Sequence, residues 1–339
     1  MTASRYLELL GQFPSRKIGV VGDFLLDQYI LGTSARVSRE APIVVVDYQD
    51  TVYHPGGAAN AAQNVTALGA MARAVGVIGN DREADALLRL LEARGVDVTH
   101  LMRDANAATS TKLRIMAGEM NAQKQQVARV DRSHRLLATP ALTSSLRDAV
   151  DEMVAASDAV LMADYGLGVL AVDVASHVLA RCAAHRVASV VDSRHRLREF
   201  RGATVATPNE VEAMEALGLA HEAELTDEHG LGTRVAETGI RNLIVTRGSK
   251  GMVVCGADTP YTSIGIAGSN AATDVTGAGD TVSAVVALSL ACGATLEEAA
   301  RMATFAASVV VMKRGTATAS ADEVRDAIEG TRSAREARA

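Results

Sequence analysis

Residues 274–281 read Asp-Val-Thr-Gly-Ala-Gly-Asp-Thr and run directly into an apolar stretch, Val282 to Ala291, that predicts a helix. Gly277 and Gly279 can adopt positive φ or allow another atom to approach closely, and Ala278 leaves the peptide N–H groups uncovered. The first N–H groups of a helix have no partner within it, and the helix dipole adds partial positive charge. This stretch therefore predicts an anion site that can stabilise a phosphoryl group in transfer.

Asp280 falls in the first turn of the predicted helix. The field of the helix terminus is expected to keep this carboxylate ionised. A carboxylate beside an anion site suits a general base that takes a proton from an attacking hydroxyl group. An ordinary helix start with an acidic first turn would have the same local sequence, so the octapeptide alone leaves both interpretations open.

The composition points to a large, well-packed α/β domain. Of the 339 residues, 48% are hydrophobic and 22% are charged, which is enough to bury a full core. The net charge of -6 and the 3% aromatic content argue against a nucleic-acid-binding protein. The three cysteines are scattered, and no apolar run approaches the length of a membrane span, so we expect a cytoplasmic protein.

From Met71 onward, strand and helix patterns alternate, which predicts βαβ units and a mostly parallel sheet. The predicted strands are 71–78, 109–117, 124–130, 159–163 and 188–192, and the predicted helices are 81–94, 140–156 and 172–184. No helix separates 109–117 from 124–130. Together with Ile43–Tyr48, these strands predict a small separate sheet, or lid, from about 30–50 and 109–131. We expect one domain over 1–330 and a polar tail over 331–339.

Two polar positions follow the first predicted strand, Lys17–Gly22. Strand ends carry ligand contacts in open α/β sheets, so Asp23 and Asp27 are candidates for binding substrate hydroxyl groups. Solvation of a loop and formation of a turn are the alternative.

A pair of glycines precedes the next predicted helix. Gly56 and Gly57 would let a ligand lie against the backbone, and Asn60 offers a donor and an acceptor. A tight turn with a close helix contact is the alternative interpretation.

Two stretches could bind a nucleotide and its metal. Asn209 and Glu212 would share one helix face, as oxygen ligands for a hydrated Mg²⁺ require, although a capped helix start looks alike. Thr246 and the glycine turn 247–251 could bind nucleotide phosphates through N–H groups, although a plain hairpin turn is similar.

A rival interpretation rests on residues 164–171. Gly166, Gly168 and Ala171 match the G-x-G-x-x-A fingerprint after a strand, and Asp192 ends the next strand. This pattern is typical of dinucleotide-binding oxidoreductases, although here it occurs in the middle of the chain.

The order of these motifs resembles the ribokinase (PfkB-type) sugar kinase family from about residue 17 to 325. The resemblance implies a doubly wound α/β domain with a β lid, ATP and Mg²⁺ as cofactors, and phosphoryl transfer to a sugar hydroxyl group. It also implies a role for each matching position. Asp280 would be the base, and the anion hole would consist of Gly277, Ala278 and Gly279. The sugar would be bound by Asp27, Gly56, Gly57 and Asn60, and the nucleotide by Thr246, Gly248 and Gly251. Mg²⁺ and phosphate would be held by Asn209 and Glu212, and a monovalent cation such as K⁺ by Asp274 and Thr276.

Within the family, several stretches look most similar to kinases of D-glycero-β-D-manno-heptose 7-phosphate, which make the 1,7-bisphosphate for lipopolysaccharide. These stretches are 21–27, 36–42, 56–64, 112–114, 164–166 and 315–318. Lys112, Arg114 and Arg129 would then hold the substrate phosphate, and Asp164 falls at a substrate-side strand end.

The chain departs from the heptose kinases at three places. Leu167 stands where they usually have Lys, Ser193-Arg194 where they have Pro-Lys, and Arg39 where they often have Pro. Arg194 can compensate for the missing lysine. Kinases of ribose, fructose, 2-keto-3-deoxygluconate or a nucleoside, and a sugar-binding relative without chemistry, are the alternatives. The resemblance also implies a homodimer formed through the lid, without membrane or nucleic acid as partner.

Overall fold

The computed structural model describes residues 3–37, 43–119, 124–137, 139–228, 230–268 and 272–336. Its strands are β1 (Lys17–Gly22), β2 (Phe24–Val37), β3 (Val44–Gly57), β4 (Met71–Gly79), β5 (Asp97–Asp104), β6 (Thr111–Gly118), β7 (Gln125–Arg132), β8 (Ala159–Asp164), β9 (Ala188–Ser193), β10 (Val205–Ala206), β11 (Asn242–Thr246), β12 (Met252–Gly256) and β13 (Thr262–Ile264). Its helices are α1 (Ala3–Gln12), α2 (Ala58–Ala67), α3 (Arg82–Glu92), α4 (Pro140–Ala155), α5 (Val172–His185), α6 (Glu210–Leu217), α7 (Leu231–Thr238), α8 (Ala278–Ala291), α9 (Leu296–Val310) and α10 (Ala321–Glu336).

The main sheet has the strand order β13-β12-β11-β10-β9-β8-β1-β4-β5. Its strands are parallel from β11 to β5, whereas β12 runs antiparallel to both of its neighbours. The central strands are continuous apolar runs, and every residue of β8 is buried. Strands that are covered on both faces need such runs, because neither face meets water.

Helices cover both faces of this sheet. One apolar core lies against α1, α2, α3, α8, α9 and α10, and the other lies against α4, α5, α6 and α7. Successive strand residues alternate between the two cores, so that Val20 belongs to the first and Val21 to the second. The predicted doubly wound α/β fold is confirmed.

A second sheet, the lid, has the order β3-β2-β6-β7. β2 pairs antiparallel with β3 and parallel with β6, and β6 pairs antiparallel with β7. The predicted small sheet is therefore present. Residues 38–42 and 120–123 of the predicted lid, which include Arg39 and most of the stretch 36–42, lie outside the described residues.

Several elements differ from the prediction. The sequence analysis did not predict β2, β5 or α1, and it ended the β3 strand at Tyr48 instead of Gly57. Gly32 interrupts the apolar pattern of β2, and the strand is stabilised by partners from distant parts of the chain. The expected polar tail is partly helical, because α10 continues to Glu336 through residues of good helix propensity. Among the described residues, no helix is long and apolar enough to span a membrane.

Candidate active site

A cavity of about 590 Å³ lies where the carboxyl ends of the central strands meet the start of α8 and the lid. The predicted base and glycine turn line it, together with residues of the lid and of the nucleotide turn. Ligands in open α/β sheets bind at this end of the strands. The cavity therefore joins motifs that are up to 168 residues apart, from Lys112 to Asp280.

Gly277 sets the geometry of the turn that leads into α8. Its φ is +80°, and a Cβ atom at this position would lie 2.6 Å from Nδ2 of Asn60. Both the backbone conformation and the close approach require glycine. Thr281 donates a hydrogen bond of 2.9 Å to Oδ1 of Asn64, which joins α8 to α2.

Asp280 is 5% exposed, and both of its carboxylate oxygens accept hydrogen bonds. The Tyr165 hydroxyl group donates to Oδ1 at 2.6 Å, and Asn60 Nδ2 donates to Oδ2 at 2.6 Å. Gln63 Nε2 in turn donates to Oδ1 of Asn60 at 2.6 Å, which orients the amide. The carboxylate is thus held from two sides at the cavity wall.

The surroundings of Asp280 act on its pKa in two opposite directions. Burial raises the pKa of Asp280 above the ordinary value of a carboxyl group, although Tyr165, Asn60, Arg194 and Lys112 act in the opposite direction. Removal of the carboxylate from water outweighs these four contributions. A raised pKa suits a group that must accept a proton during the reaction.

Asp192, at the end of β9, is a second carboxylate of the cavity wall. Burial, together with the charges of Asp280 and Glu212, raises the pKa of Asp192 to about 8. Ser283 donates a hydrogen bond of 3.2 Å to its Oδ2. The sequence analysis considered this residue only within the dinucleotide fingerprint. Its place at the end of a parallel strand was the signal for a site role.

The cavity cations fall into two groups. Arg114 donates to Oδ1 of Asp27 at 2.9 Å, and Arg129 makes two hydrogen bonds of 2.7 Å to Asp131. In contrast, the ion pairs of the described residues include neither Lys112 nor Arg194. Lys112 Nζ and the Arg194 guanidinium contact the Tyr165 ring, 4.7 Å and 4.6 Å from its centre.

The predicted lid trio is therefore divided. Lys112 is available to a substrate anion, whereas Arg114 and Arg129 already hold carboxylates. Arg194, considered in the sequence analysis only as a replacement for the lysine absent at Leu167, lines the cavity beside Lys112. Tyr165 was not predicted, because a single aromatic residue after a strand has no distinctive pattern.

Asp23 was predicted to bind substrate, but its carboxylate serves the 165–169 turn. It is 2% exposed and accepts the N–H groups of Tyr165 at 2.8 Å, Leu167 at 3.0 Å and Val169 at 3.2 Å. This geometry favours a structural role. It also argues against the dinucleotide fingerprint, because the N–H groups that a pyrophosphate would need are already bonded.

Asp164 and Asp27 are also engaged by the protein itself. Asp164 is 1% exposed and binds the Ser193 hydroxyl group at 2.7 Å and the Arg196 guanidinium at 3.0 Å. Asp27 is 3% exposed and accepts a hydrogen bond of 3.2 Å from Thr316, in addition to that from Arg114. Neither lines the cavity described above, so their predicted substrate contacts have no support from this geometry.

Gly56 and Gly57 make room for protein neighbours. A Cβ atom at Gly56 would lie 3.0 Å from Cγ of Asp27, and one at Gly57 would lie 2.3 Å from Cδ1 of Leu25. Both residues end β3, which pairs with β2 at this point. The close packing accounts for both glycines, and a ligand against this backbone stays a prediction.

The opposite end of the cavity has the form of a nucleotide pocket. Thr246, Gly248 and Gly251 line it, and apolar side chains such as Ile266 and Val311 form its walls. A Cβ atom at Gly251 would lie 2.0 Å from the carbonyl oxygen of Ile264, so the tight turn requires glycine. The hairpin alternative also holds, since β11 and β12 pair antiparallel around this turn.

Asn209 and Glu212 form a capping box at the start of α6. Glu212 N–H donates to Asn209 Oδ1 at 3.0 Å, and Asn209 N–H donates to Glu212 Oε2 at 2.9 Å. Both residues line the cavity, so the helix-start interpretation and the ligand interpretation are compatible. Within the described part of the chain, no group of three acidic, His or Cys side chains is arranged to hold a metal directly.

The predicted monovalent-cation residues lie beside the turn. Asp274 accepts the N–H groups of Thr276 at 2.9 Å and Gly315 at 2.8 Å. Burial acts to raise the pKa of Asp274, but the hydrogen bonds from Thr276 and Gly315, together with the charge of Arg114, lower it. Asp274 thus ties the turn to the 315–318 stretch, and its binding of a cation stays a prediction.

Comparison with known proteins agrees with this arrangement. A family model described as pfkB family carbohydrate kinase matches residues 15–323. The bifunctional protein HldE of Azorhizobium caulinodans is 36% identical over 329 residues, covering 95% of this chain and 66% of that protein. HldE of Azotobacter vinelandii is 39% identical over 321 residues, covering 94% of this chain and 65% of the relative. The chain thus spans just under two thirds of the length of these curated relatives.

Solved structures share the fold. A ribokinase of Arabidopsis thaliana complexed with ribose and ATP has a TM-score of 0.71 at 19% identity, over 93% of this chain and 99% of that one. Phosphofructokinase-2 of Escherichia coli in complex with potassium has a TM-score of 0.74 at 17% identity, over 94% and 99%. At these identities the likeness is one of fold.

Proposed function

The chain belongs to the pfkB family of carbohydrate kinases, and on this premise we propose that it transfers the γ-phosphoryl group of ATP to a hydroxyl group of a sugar or sugar phosphate. The observation that carries the proposal is Asp280. It lies in the first turn of α8 at the cavity wall, and Tyr165 and Asn60 hold its two oxygens. A fixed carboxylate at the start of a helix suits an in-line transfer from ATP to an alcohol.

The chemical roles follow from this geometry. Asp280 accepts the proton of the attacking sugar hydroxyl group, and the raised pKa of the carboxylate favours that transfer. The N–H groups of Gly277 and Gly279 would meet charge that develops on the phosphoryl oxygens, whereas that of Ala278 donates to the carbonyl oxygen of Val275 at 3.2 Å. The nearby cations Lys112 and Arg194 add positive potential at the same cavity.

ATP fits the nucleotide end of the cavity. Its base would lie among the apolar walls, and its phosphates would meet Thr246 and the glycine turn. The acidic wall fits Mg²⁺ held through water, since Asp192 and Glu212 both line the cavity and burial raises the pKa of each carboxyl group. Bound Mg²⁺ would neutralise phosphate charge, and Asn209 would hold its water shell. We also propose that Asp274 and Thr276 would bind K⁺.

The favoured acceptor is D-glycero-β-D-manno-heptose 7-phosphate, with the 1,7-bisphosphate as product. The support is the similarity of the sequence to the heptose kinases, together with two cavity cations, Lys112 and Arg194, that are outside the ion pairs of the described residues. A phosphorylated sugar supplies the anion that such cations need. Arg194, which lines the cavity, would supply the positive charge that the heptose kinases have as a lysine at the position of Leu167.

The test is ADP release from ATP and Mg²⁺ with a panel of acceptors. The panel holds heptose 7-phosphate, fructose 6-phosphate, fructose, ribose, 2-keto-3-deoxygluconate and nucleosides, and Asp280→Asn protein is the control. We expect heptose 7-phosphate to turn over and Asp280→Asn to lower kcat by about two to four orders of magnitude while ATP still binds. Turnover at the wild-type rate in Asp280→Asn would contradict the assignment of Asp280 as base. If the wild-type protein binds ATP but turns over no acceptor of the panel, the sugar-binding alternative is favoured.

We also propose a homodimer through the lid. Lys112 and Arg114 face the cavity, and strand alternation places Tyr53 and Val130 on the opposite face, with Tyr48 beside them. These three side chains are 38%, 54% and 65% exposed in the order Tyr53, Val130 and Tyr48. An exposed apolar sheet face of this kind suits a second copy of the chain.

Light scattering at micromolar concentration tests the dimer. We expect Tyr48→Lys with Val130→Lys to give a monomer, because each buries a charge in the paired lids. Leu137→Lys is the control, since Leu137 is 82% exposed but lies outside the lid. A monomeric mass for the wild-type protein would contradict the proposal. The cytoplasmic location stays a prediction from the sequence.

A further inference from the structure

We propose that Tyr165 is a positioning residue that couples Lys112 and Arg194, which lie outside the ion pairs of the described residues, to the catalytic base Asp280. This inference rests on the proposed kinase function. Through Tyr165, an anionic group of the acceptor that is bound at the cations fixes the orientation of the base, which accepts the proton of the attacking hydroxyl group. The residue would thus link recognition of the acceptor to catalysis.

The hydroxyl end of Tyr165 acts on the base. It donates a hydrogen bond of 2.6 Å to Oδ1 of Asp280, and Asn60 holds the other oxygen. A short hydrogen bond to a buried carboxylate stabilises the ionised form and fixes its orientation. Without the phenol, the carboxylate would keep only one of these two donors and would rotate more freely.

The ring of Tyr165 acts on the cations. Lys112 reaches it from β6 of the lid, with Nζ 4.7 Å from the ring centre, and Arg194 reaches it from the residue after β9, at 4.6 Å. Cations at this distance are attracted to an aromatic face. Lid and main domain therefore meet on one ring.

The backbone of Tyr165 is held independently of its side chain. Its N–H group donates to Oδ2 of Asp23 at 2.8 Å, within the turn that Asp23 organises. The position of the residue thus depends on the fold, whereas its side chain is held by Asp280 at the hydroxyl end and by the two cations at the ring. An anion that binds both cations would restrict the ring, and through the phenol the carboxylate.

Two substitutions separate these roles. Tyr165→Phe keeps the ring and removes the hydroxyl group, whereas Tyr165→Leu removes both. For Tyr165→Phe we expect kcat to fall about tenfold to a hundredfold, with the KM for the sugar phosphate within about twofold. The acidic limb of kcat/KM should move to higher pH, because Asp280 loses a donor to its ionised form while Asp192, Lys112 and Arg194 still face it. Tyr165→Leu should also raise the KM for the sugar phosphate and leave that for ATP unchanged.

Tyr261→Phe, away from the cavity, is the matched control and should change neither parameter. A readout that needs no turnover is the carboxyl ¹³C resonance of Asp280, assigned by its loss in Asp280→Asn. In the substrate-free protein its titration midpoint should rise in Tyr165→Phe. If wild-type protein phosphorylates no acceptor yet the midpoint rises, the kinase proposal fails and the contact to the base stands. Two outcomes would overturn the coupling. One is an active wild-type protein in which Tyr165→Phe changes neither the titration midpoint nor the acidic limb of kcat/KM. The other is an equal KM for the sugar phosphate in the Phe and Leu variants.

Discussion

Asn60 at the start of α2 donates a hydrogen bond of 2.6 Å to Oδ2 of Asp280 at the start of α8, across 220 residues of sequence. The same amide nitrogen lies 3.5 Å from the carbonyl oxygen of Gly277. A residue predicted to contact sugar therefore supports the base and the turn beside it. The relationship explains why the glycine-rich stretch before α2 and the turn before α8 both belong to one site.

Replacing Asn60 tests this support. We expect Asn60→Leu to lower kcat about tenfold or more, because a buried carboxylate that loses a hydrogen bond is less readily ionised. Burial already raises the pKa of Asp280, so the loss should move the acidic limb of the rate profile further up in pH. Asn106→Leu, an exposed asparagine, is the control. An unchanged pH profile with a raised sugar KM would instead favour the direct sugar contact.

Gly277 and Gly293 form a matched pair. Both have positive φ, +80° and +74°, but only at Gly277 would a Cβ atom meet a neighbour, Asn60 at 2.6 Å. Gly277→Ala and Gly293→Ala should each cost about 1 kcal/mol of folding free energy from the backbone conformation. Only Gly277→Ala should also lose turnover, by about tenfold or more, since it displaces the amide that holds the base. Denaturant unfolding together with the ADP-release assay measures both effects.

The cavity arginines should separate in kinetics. Arg194→Met should raise the KM for a phosphorylated acceptor about tenfold to a hundredfold, as expected for loss of a charge-assisted contact. Arg129→Met should have a smaller effect, because Arg129 is already bound to Asp131 by two hydrogen bonds of 2.7 Å. Neither substitution should change the KM for ATP. An equal rise of this KM in the two variants would show that Arg129 leaves Asp131 to bind the substrate.

Asp192 should make stability depend on pH. The pKa of Asp192 is about 8 in the folded protein, above its ordinary value, so between about pH 4 and 8 the folded state binds more protons than the unfolded state. Stability from this group is therefore lost as pH rises through that window. The Tm of Asp192→Asn should equal that of the wild-type protein near pH 4 and should be higher by roughly a few degrees at pH 8. A difference in Tm that is independent of pH would contradict this assignment.

Mg²⁺ should reduce the advantage of the Asp192→Asn variant. A cation held near Asp192 and Glu212 would compensate the charge that destabilises the wild-type protein. With ATP and Mg²⁺ present, the two melting temperatures at pH 8 should converge. A gap in Tm that persists at saturating ATP and Mg²⁺ would place the cation elsewhere in the cavity.

The sequence alone determined the fold class, the small sheet and the glycine turn that leads with its carboxylate into α8. These features depend on patterns with short range: strand and helix periods, glycine spacing, and a helix start whose free N–H groups need no distant partner. The capping box of Asn209 and Glu212 was visible for the same reason. β2 was not, since its pairing partners lie in β3 and in β6, about 80 residues away.

Only the tertiary structure decided which of the polar residues line the cavity and which are engaged by the protein itself. Arg114 meets Asp27 across 87 positions, and Asp23 meets Tyr165 across 142, so neither engagement can be inferred from neighbouring sequence. Whether a charged side chain is free for substrate depends on what the fold brings beside it. The sequence thus identified the chemistry of the turn at Asp280, and the packing of distant elements selected Tyr165, Asp192 and Arg194 as its surroundings.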